Sequence, residues 1–291
     1  MVAIALFTKL SLSYIVVVYV SGIENRNLER GSTVNIVVLH ASPRKGNTDA
    51  IIERVKHCLV GKEPMVFHDV YLPRDAPVFC HGCYSCFERG ENTCPNAKFI
   101  QPIAKKIEAS DGMIIATPIY VMQIPGALKS FLDHMAYRFL NHRPAFFGKK
   151  AFIITNTAGA GNANAIKYLK QNLSFWGINN VTTLAITLQA ASLDEMESSR
   201  QKKTLEEMKH KCAAFQKELS QQDTKQHSSF LSVILFHIGR SIILTLPQEH
   251  ADRQYWTQKG WLDLRKKHYH DEKPPWYQTL AGKMAARVAF K

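Results

Sequence analysis

Apolar residues follow two rhythms along this chain. Short, β-branched runs recur at VNIVVLH (34–40), PMVFHDVYL (64–72), DGMIIATPIY (111–120), KKAFIITN (149–156) and VTTLAITL (181–188). The first, VNIVVLH, is apolar and β-branched and bounded by turn residues, the pattern of a buried parallel strand, and the others read as the second to fifth strands. Between the runs the spacing changes to that of a helix. In DAIIERVKHCLV, Ile51, Ile52, Val55, Cys58 and Leu59 share one helical face. Further helices are predicted at Ile100–Ala109, Gly126–Phe139 and Ala165–Phe175. Ser192 and Glu195 form a capping-box signature, which predicts a long helix marked by Leu193, Met196, Leu205, Met208, Cys212, Phe215 and Leu219.

Strands alternating with helices predict an α/β protein with three layers: a doubly wound, five-stranded parallel sheet of the flavodoxin-like type, covered on both faces. Ligands of such sheets lie beyond the carboxyl ends of the strands, where strand order reverses. The loops after strands one, three and four are therefore the places to search. The chain divides into a leader at 1–33, the sheet domain at 34–220 and a helical, aromatic and basic C-terminal extension at 221–291. Within the extension QQDTKQHSS reads as a linker. FLSVILFHIGRSIILTL (230–246) reads as a buried or interface helix rather than a membrane span, because His237 and Arg240 interrupt it. Trp256, Trp261 and Trp276 are expected to anchor packing.

The 291 residues are 46% hydrophobic and 21% charged, enough for a substantial core and against wholesale disorder. The formal charge of +13 suits a surface that attracts anionic ligands. No recognition motif for nucleic acid accompanies it, so a nucleic-acid partner is not expected. Leu10 to Val20 is an apolar run of eleven residues, too short for the about 20 that span a bilayer. With one early cation, Lys9, it reads as a dispensable leader in preference to an export signal. The expected compartment is cytoplasmic.

ASPRKGNT joins the first strand to its helix. A helix start offers unpaired N–H groups and partial positive charge, a ready seat for phosphate. Ser42 and Thr48 add hydroxyls, Asn47 an amide and Arg44 a forked cation, and Gly46 admits close backbone approach. The same residues also suit an ordinary capped turn. A second constellation is FCHGCYSCFERGENTCP, where Cys80, Cys83, Cys86 and Cys94 are spaced C-x2-C-x2-C-x7-C. Zinc sites usually use two separated pairs, whereas compact runs with Pro after the last Cys are found at iron–sulfur clusters. A 4Fe–4S cluster is the favoured reading. Zinc, or thiols without metal, remain the alternatives. Cys58 and Cys212 fall on apolar helical faces and read as core.

Taken in order, SPRKGNTDAII, the cysteine run and ASDGMIIATPIYVMQIPGALKSFLDH resemble the NADPH-dependent FMN reductase family, and the cysteines resemble its iron–sulfur flavoprotein subgroup. The resemblance covers about residues 34–190. It implies that Ser42, Arg44, Asn47 and Thr48 hold the FMN phosphate, with Gly46 in the same loop. It implies that Thr117, Pro118, Ile119 and Tyr120 flank the flavin ring and ribityl chain, and that Thr157, Gly159 and Gly161 form a third flavin loop. Outside the resemblance the two glycines would be turn residues and Tyr120 a core aromatic.

The activity implied is an FMN-dependent NAD(P)H oxidoreductase. Hydride would pass from nicotinamide C4 to flavin N5, and electrons would leave afterwards to a quinone, another small molecule or an iron–sulfur acceptor. No side chain is assigned as general acid or base. An FMN-binding electron carrier without small-molecule turnover is the alternative, and the basic charge counts against it. The implied partners are a small-molecule or redox-protein acceptor and a second copy of the chain, as family members usually form dimers. Contact of the tail with a membrane surface is the less favoured expectation.

Overall fold

The computed structural model describes residues 33–61, 64–221, 229–271 and 273–289. Residues 1–32, on which the leader reading falls, lie outside the described residues, as does most of the proposed linker. The elements run β1 (Val34–His40), α1 (Asn47–Leu59), β2 (Met65–Tyr71), α2 (Leu72–Asp75), α3 (Ser85–Glu88) and α4 (Ala97–Ala109). Then come β3 (Gly112–Pro118), α5 (Gly126–His134), β4 (Lys150–Thr157), α6 (Asn162–Phe175), β5 (Asn180–Thr187) and α7 (Ser198–Ser220). The extension adds α8 (Phe230–Thr245), α9 (Ala251–Gln258) and α10 (Trp276–Ala289). All five predicted strands form, and their order is β2-β1-β3-β4-β5 with every pair parallel. This is the flavodoxin-like arrangement, with strand order reversing between β1 and β3.

The period of two sorts side chains onto the two faces. Val37 and Leu39 of β1 join Met113, Ile115 and Ile153 in a core covered by α4, α5 and α6. Their neighbours Ile36 and Val38 join Ile114, Ile154, Ile51, Val55 and Phe215 in a second core under α1 and α7. β3 and β4 are buried along their whole length, which is why their sequences show no polar alternation.

Two predicted helix boundaries move by more than one turn. The helix at 126 ends at His134 and gives way to a single 3-10 turn at 136–138. The long helix begins at Ser198, not Ser192. The Ser192 hydroxyl does bond Glu195, donating to Oε1 at 2.9 Å and accepting from its N–H at 3.3 Å. Those bonds close a turn instead, because Leu193 and Met196 tuck into the second core and pull the chain off the helical path.

A third cluster is built from Phe236, Ile243, Trp256, Trp261 and Tyr269 of the extension together with Leu140 of the sheet domain. Phe236 stacks on Trp256 with ring centres 5.6 Å apart, and the Tyr269 hydroxyl donates to the Leu140 carbonyl at 2.6 Å. Trp256 and Trp261 anchor packing as expected. Trp276 does not: it is 76% exposed, on the outer face of α10. Thr33–Lys291 forms one unit by its contacts. Among the described residues no helix is long and apolar enough to cross a membrane.

Candidate functional site

The loop after β1 folds on itself. Ser42 donates its hydroxyl to the Arg44 carbonyl at 2.7 Å, a short turn that leaves Arg44 and Lys45 exposed. α1 begins at Gly46 without a side-chain cap, so the dipole of a 13-residue helix faces outward there. Ser42, Arg44 and Lys45 share a cavity of about 210 Å³ with Tyr71, Pro73 and Arg74. A Cβ added at Gly46, or at Gly159 in the third loop, meets no protein atom within 4 Å, so the backbone at both places borders open space.

Asn156, at the end of β4, ties the predicted loops together. Its side-chain oxygen accepts from the buried Thr48 hydroxyl at 2.8 Å. Its carbonyl accepts from Ile119 N–H at 2.9 Å, and Thr157 follows it directly. Asn47 reaches sideways and donates to the Ala191 carbonyl at 2.8 Å. Thr117 is fully buried and its hydroxyl donates to the Pro118 carbonyl at 2.9 Å. Thr157 organises its own loop, donating to the Ala160 carbonyl at 3.0 Å and accepting from Gly159 N–H at 3.2 Å.

Gly161 shows how tightly the second and third loops meet. Its φ is +103°, and a Cβ there would lie 2.7 Å from Ile119 Cγ2 and 2.9 Å from Met122 Cα. Both the backbone conformation and the close approach demand glycine. Beyond Tyr120 the chain makes a tight turn closed by paired hydrogen bonds between Tyr120 and Gln123. Val121 and Met122 both have positive φ, 48° and 64°. For β-branched Val121 that is a strained conformation, and its side chain is 97% exposed at the rim. The structure thus brings all three predicted loops to one edge of the sheet, at the β1/β3 switch point. Tyr120 lies there half-exposed rather than in the core.

Behind the first loop stands a polar network that sequence reading missed. His40 is buried at the end of β1, with Nδ1 2.9 Å from Asp49 and Nε2 2.7 Å from Asp69. Its ring stacks on Tyr71 at 4.3 Å. Burial pushes the Asp69 carboxyl up, but hydrogen bonds from His40 and Lys56 outweigh it and hold the group below the usual range. The network fixes the first turn of α1 to β1 and β2, and hence fixes the loop between them.

The cysteine loop lies between α2 and α4. Cys80 and Cys83 are exposed, Cys86 and Cys94 half-buried, and all are free thiols. The four line one cavity of about 280 Å³, together with Tyr84, Phe87 and His134. Backbone and hydroxyl bonds from Ser85 lower the Cys83 thiol, whereas burial, then the neighbouring Cys94, pushes Cys86 up to about 11. Asn96 joins the ends of the loop, donating to the Phe79 carbonyl and to His134 Nε2, each at 3.0 Å. Among the described residues no group of three or more His, Cys, Asp or Glu side chains is placed to hold a metal ion.

A buried cation braces this loop from behind. Arg143 donates to the carbonyls of Cys86 and Phe87 and pairs with Asp252 of α9 and with Glu91. The second oxygen of Asp252 meets His142 Nδ1 at 2.7 Å, and the His142 ring packs on Phe87 at 4.4 Å. Asp252 is only 2% exposed. Sequence reading took the extension as aromatic packing and passed over Asp252, which is 109 residues from Arg143. Cys212 is buried and pushed well up by desolvation, the core role predicted for it, while Cys58 is half-buried.

Residues 34–192, more than half of the chain, match the family described as NADPH-dependent FMN reductase. An iron-sulfur flavoprotein from Archaeoglobus fulgidus is 30% identical over 139 residues, 47% of this chain and 61% of that protein. An FMN-dependent NADH:quinone oxidoreductase from Pseudomonas aeruginosa is 33% identical over 91 residues, 28% of this chain and 43% of that protein. The chain thus spans less than two thirds of the length of these relatives. The solved structure of an apo NADH:FMN oxidoreductase superposes with a TM-score of 0.51 at 22% identity, covering 67% of this chain and 95% of that one. It shares the fold.

Proposed function

From its membership of the NADPH-dependent FMN reductase family, to which this chain belongs, we propose that the protein is an FMN-dependent NAD(P)H oxidoreductase. The observation that carries this reading is the meeting of the three loops through Asn156, beside a helix start without a side-chain cap. The phosphate would be held by Ser42, Arg44, Gly46, Asn47 and Thr48. Thr117, Pro118, Ile119 and Tyr120 would border the ring on one side, and Thr157, Gly159 and Gly161 on the other. The open space over Gly46 and Gly159 fits a ligand that approaches backbone amides closely. FMN supplies the hydride and electron chemistry when bound.

The chain's own contribution is charge and position. The helix start and Arg44 place positive charge at the phosphate end. The small loop at 157–161 lets amides reach the ring edge where negative charge collects on reduction. The exposed apolar turn Tyr120–Met122 gives an acceptor, a quinone or another small molecule, or a second copy of the chain a surface over the ring. The cytoplasm, where NAD(P)H is abundant and thiols stay reduced, is the compartment this reading assumes.

The cysteine loop offers a 4Fe–4S cluster four thiols along the lining of one cavity, donors of the soft type such clusters take, though as placed among the described residues they are not gathered into a metal-holding group. Anaerobic purification tests both assignments. The protein is expected to be yellow, to release FMN on heating, to oxidise NAD(P)H with a quinone, and to carry about four iron and four sulfide per chain. A colourless protein that cannot be reconstituted with FMN overturns the flavin assignment. Rapid NAD(P)H oxidation excludes the electron-carrier alternative. Iron content unchanged in Cys94→Ala overturns the ligand set.

A further inference from the structure

The helical extension carries a surface that the flavin and cysteine sites do not use. α10 packs Thr279, Gly282 and Ala286 inward against α8. Its opposite side exposes Trp276, Tyr277, Leu280, Met284 and Val288, each between 50% and 76% accessible. At helical spacing these five make one apolar stripe along the whole helix. Lys283 and Arg287 stand on the flank of that stripe and line a groove of about 590 Å³ with Arg240, His237, Leu244 and Leu264.

The groove has an unusual charge balance. Arg240 is buried at its floor, and its guanidinium donates to the carbonyls of Asp263 and Lys266, at 3.0 and 2.8 Å, and to His237 Nδ1 at 3.1 Å. All three partners are neutral. The Asp263 carboxylate is turned to Arg265 at 2.7 Å. His237 Nε2 is buried without a hydrogen-bond partner. No Asp or Glu is among the residues that line the groove. A buried guanidinium hydrogen-bonded only to neutral groups is costly; the Asp263 carboxylate offsets part of that cost from a distance while bonding Arg265, and an anion entering the groove relieves the rest.

We infer that this face docks on an anionic lipid surface, with the α10 stripe set into the headgroup boundary and a lipid phosphate seated in the Arg240 groove. Three features select that occupant. Trp276 and Tyr277 in the first turn of α10 are amphipathic rings suited to the water–lipid boundary. Cations flank an apolar stripe, the pattern of helices that lie in that boundary. A second copy of the chain fits poorly, because a two-fold contact sets the same patch against itself and brings Lys283, Arg287 and Arg240 against their own counterparts.

The test uses the full chain and sedimentation with vesicles of phosphatidylcholine alone, or of equal parts phosphatidylcholine and phosphatidylglycerol. Binding is expected only to the second kind. Leu280→Asp with Met284→Asp, and separately Lys283→Glu with Arg287→Glu, are each expected to lower the bound fraction about tenfold or more. These side chains are exposed, so flavin content and melting temperature stay as in the parent. Equal binding to neutral vesicles, or full binding retained by both variants, overturns the inference. So does self-association that the Leu280/Met284 variant abolishes in the absence of vesicle binding, which would assign the face to a second copy.

Discussion

Single residues decide how far the site is pre-formed. Gly161 holds the third loop against the second, and Gly161→Ala adds a Cβ 2.7 Å from Ile119 Cγ2 at a φ of +103°. Left-handed geometry alone costs about 1–2 kcal/mol for a residue with a Cβ, and the contact with Met122 backbone adds to it. FMN affinity, read by fluorescence titration, is expected to fall about tenfold or more while the sheet stays folded. Unchanged affinity would mean the two loops can part without consequence for the ligand. The thiols differ as sharply. With Cys83 lowered by Ser85 and Cys86 pushed up to about 11 by burial, only roughly one Cys86 in a thousand is thiolate at pH 8, and the thiolate is the reactive form. In metal-free protein, peptide mapping after alkylation is expected to show Cys83 modified first, with Cys86 catching up only as the pH rises. Equal rates at pH 7 would contradict so large a difference between the two environments.

At the scale of elements, the extension carries two buried imidazoles that set its response to acid. Desolvation lowers His237 to about 4, helped by Arg240 and Lys283, and lowers His268 to about 3, helped by His270 and His237. Both rings are neutral when folded, while the unfolded chain takes up protons below about pH 6.5. The unfolded state then binds more protons, so stability falls as pH drops from about 6.5 toward 4, and the slope from His237 flattens below that. The loss is at most roughly 1.4 kcal/mol per pH unit per ring. Melting temperatures between pH 7 and 4.5 are expected to fall less steeply in His268→Gln than in the parent, and identical slopes would remove the imidazoles from the account. These groups were also the hardest to read in the sequence. Strands wholly buried between helix layers announce themselves as consecutive apolar residues, and a glycine-bearing loop after a strand announces a helix start. The sheet and the three loops were legible for that reason. Asn156, His40, Arg143 and Asp252 were not, because each works through a partner brought to it by tertiary folding. Thr48 and Asn156 are 108 residues apart, and no local spacing encodes that pairing. The boundary at Ser192 misled because a capping box specifies a hydrogen-bonded turn and leaves the path of the next residues to packing.

For the whole molecule, the consequence is that the extension and the cysteine-bearing side of the sheet domain behave as one body. The Leu140–Phe236–Trp256 cluster crosses between them, and the Asp252–Arg143 pair links α9 to the carbonyls of Cys86 and Phe87. Removing one partner of a buried pair costs about 3–5 kcal/mol where the other charge is stranded, and the lower end applies here because Glu91 stays beside Arg143. For a chain of this size that corresponds to a fall on the order of 10 °C in melting temperature. Asp252→Ala is therefore expected to lower a single, shared unfolding transition by that amount in calorimetry. The same variant is expected to speed alkylation of Cys86 in metal-free protein, because the carbonyls that Arg143 holds are released. Asp252→Asn, which keeps the shape and a hydrogen bond to His142 but not the charge, should fall between Ala and the parent. Two separate transitions, or a lowered melting temperature with Cys86 reactivity unmoved, would show the extension to be a stabilising cap alone. The predicted coupling instead makes the ion pair a positioning device, in which an aspartate supplied by the extension holds the backbone of the thiol loop in place through an arginine of the sheet domain.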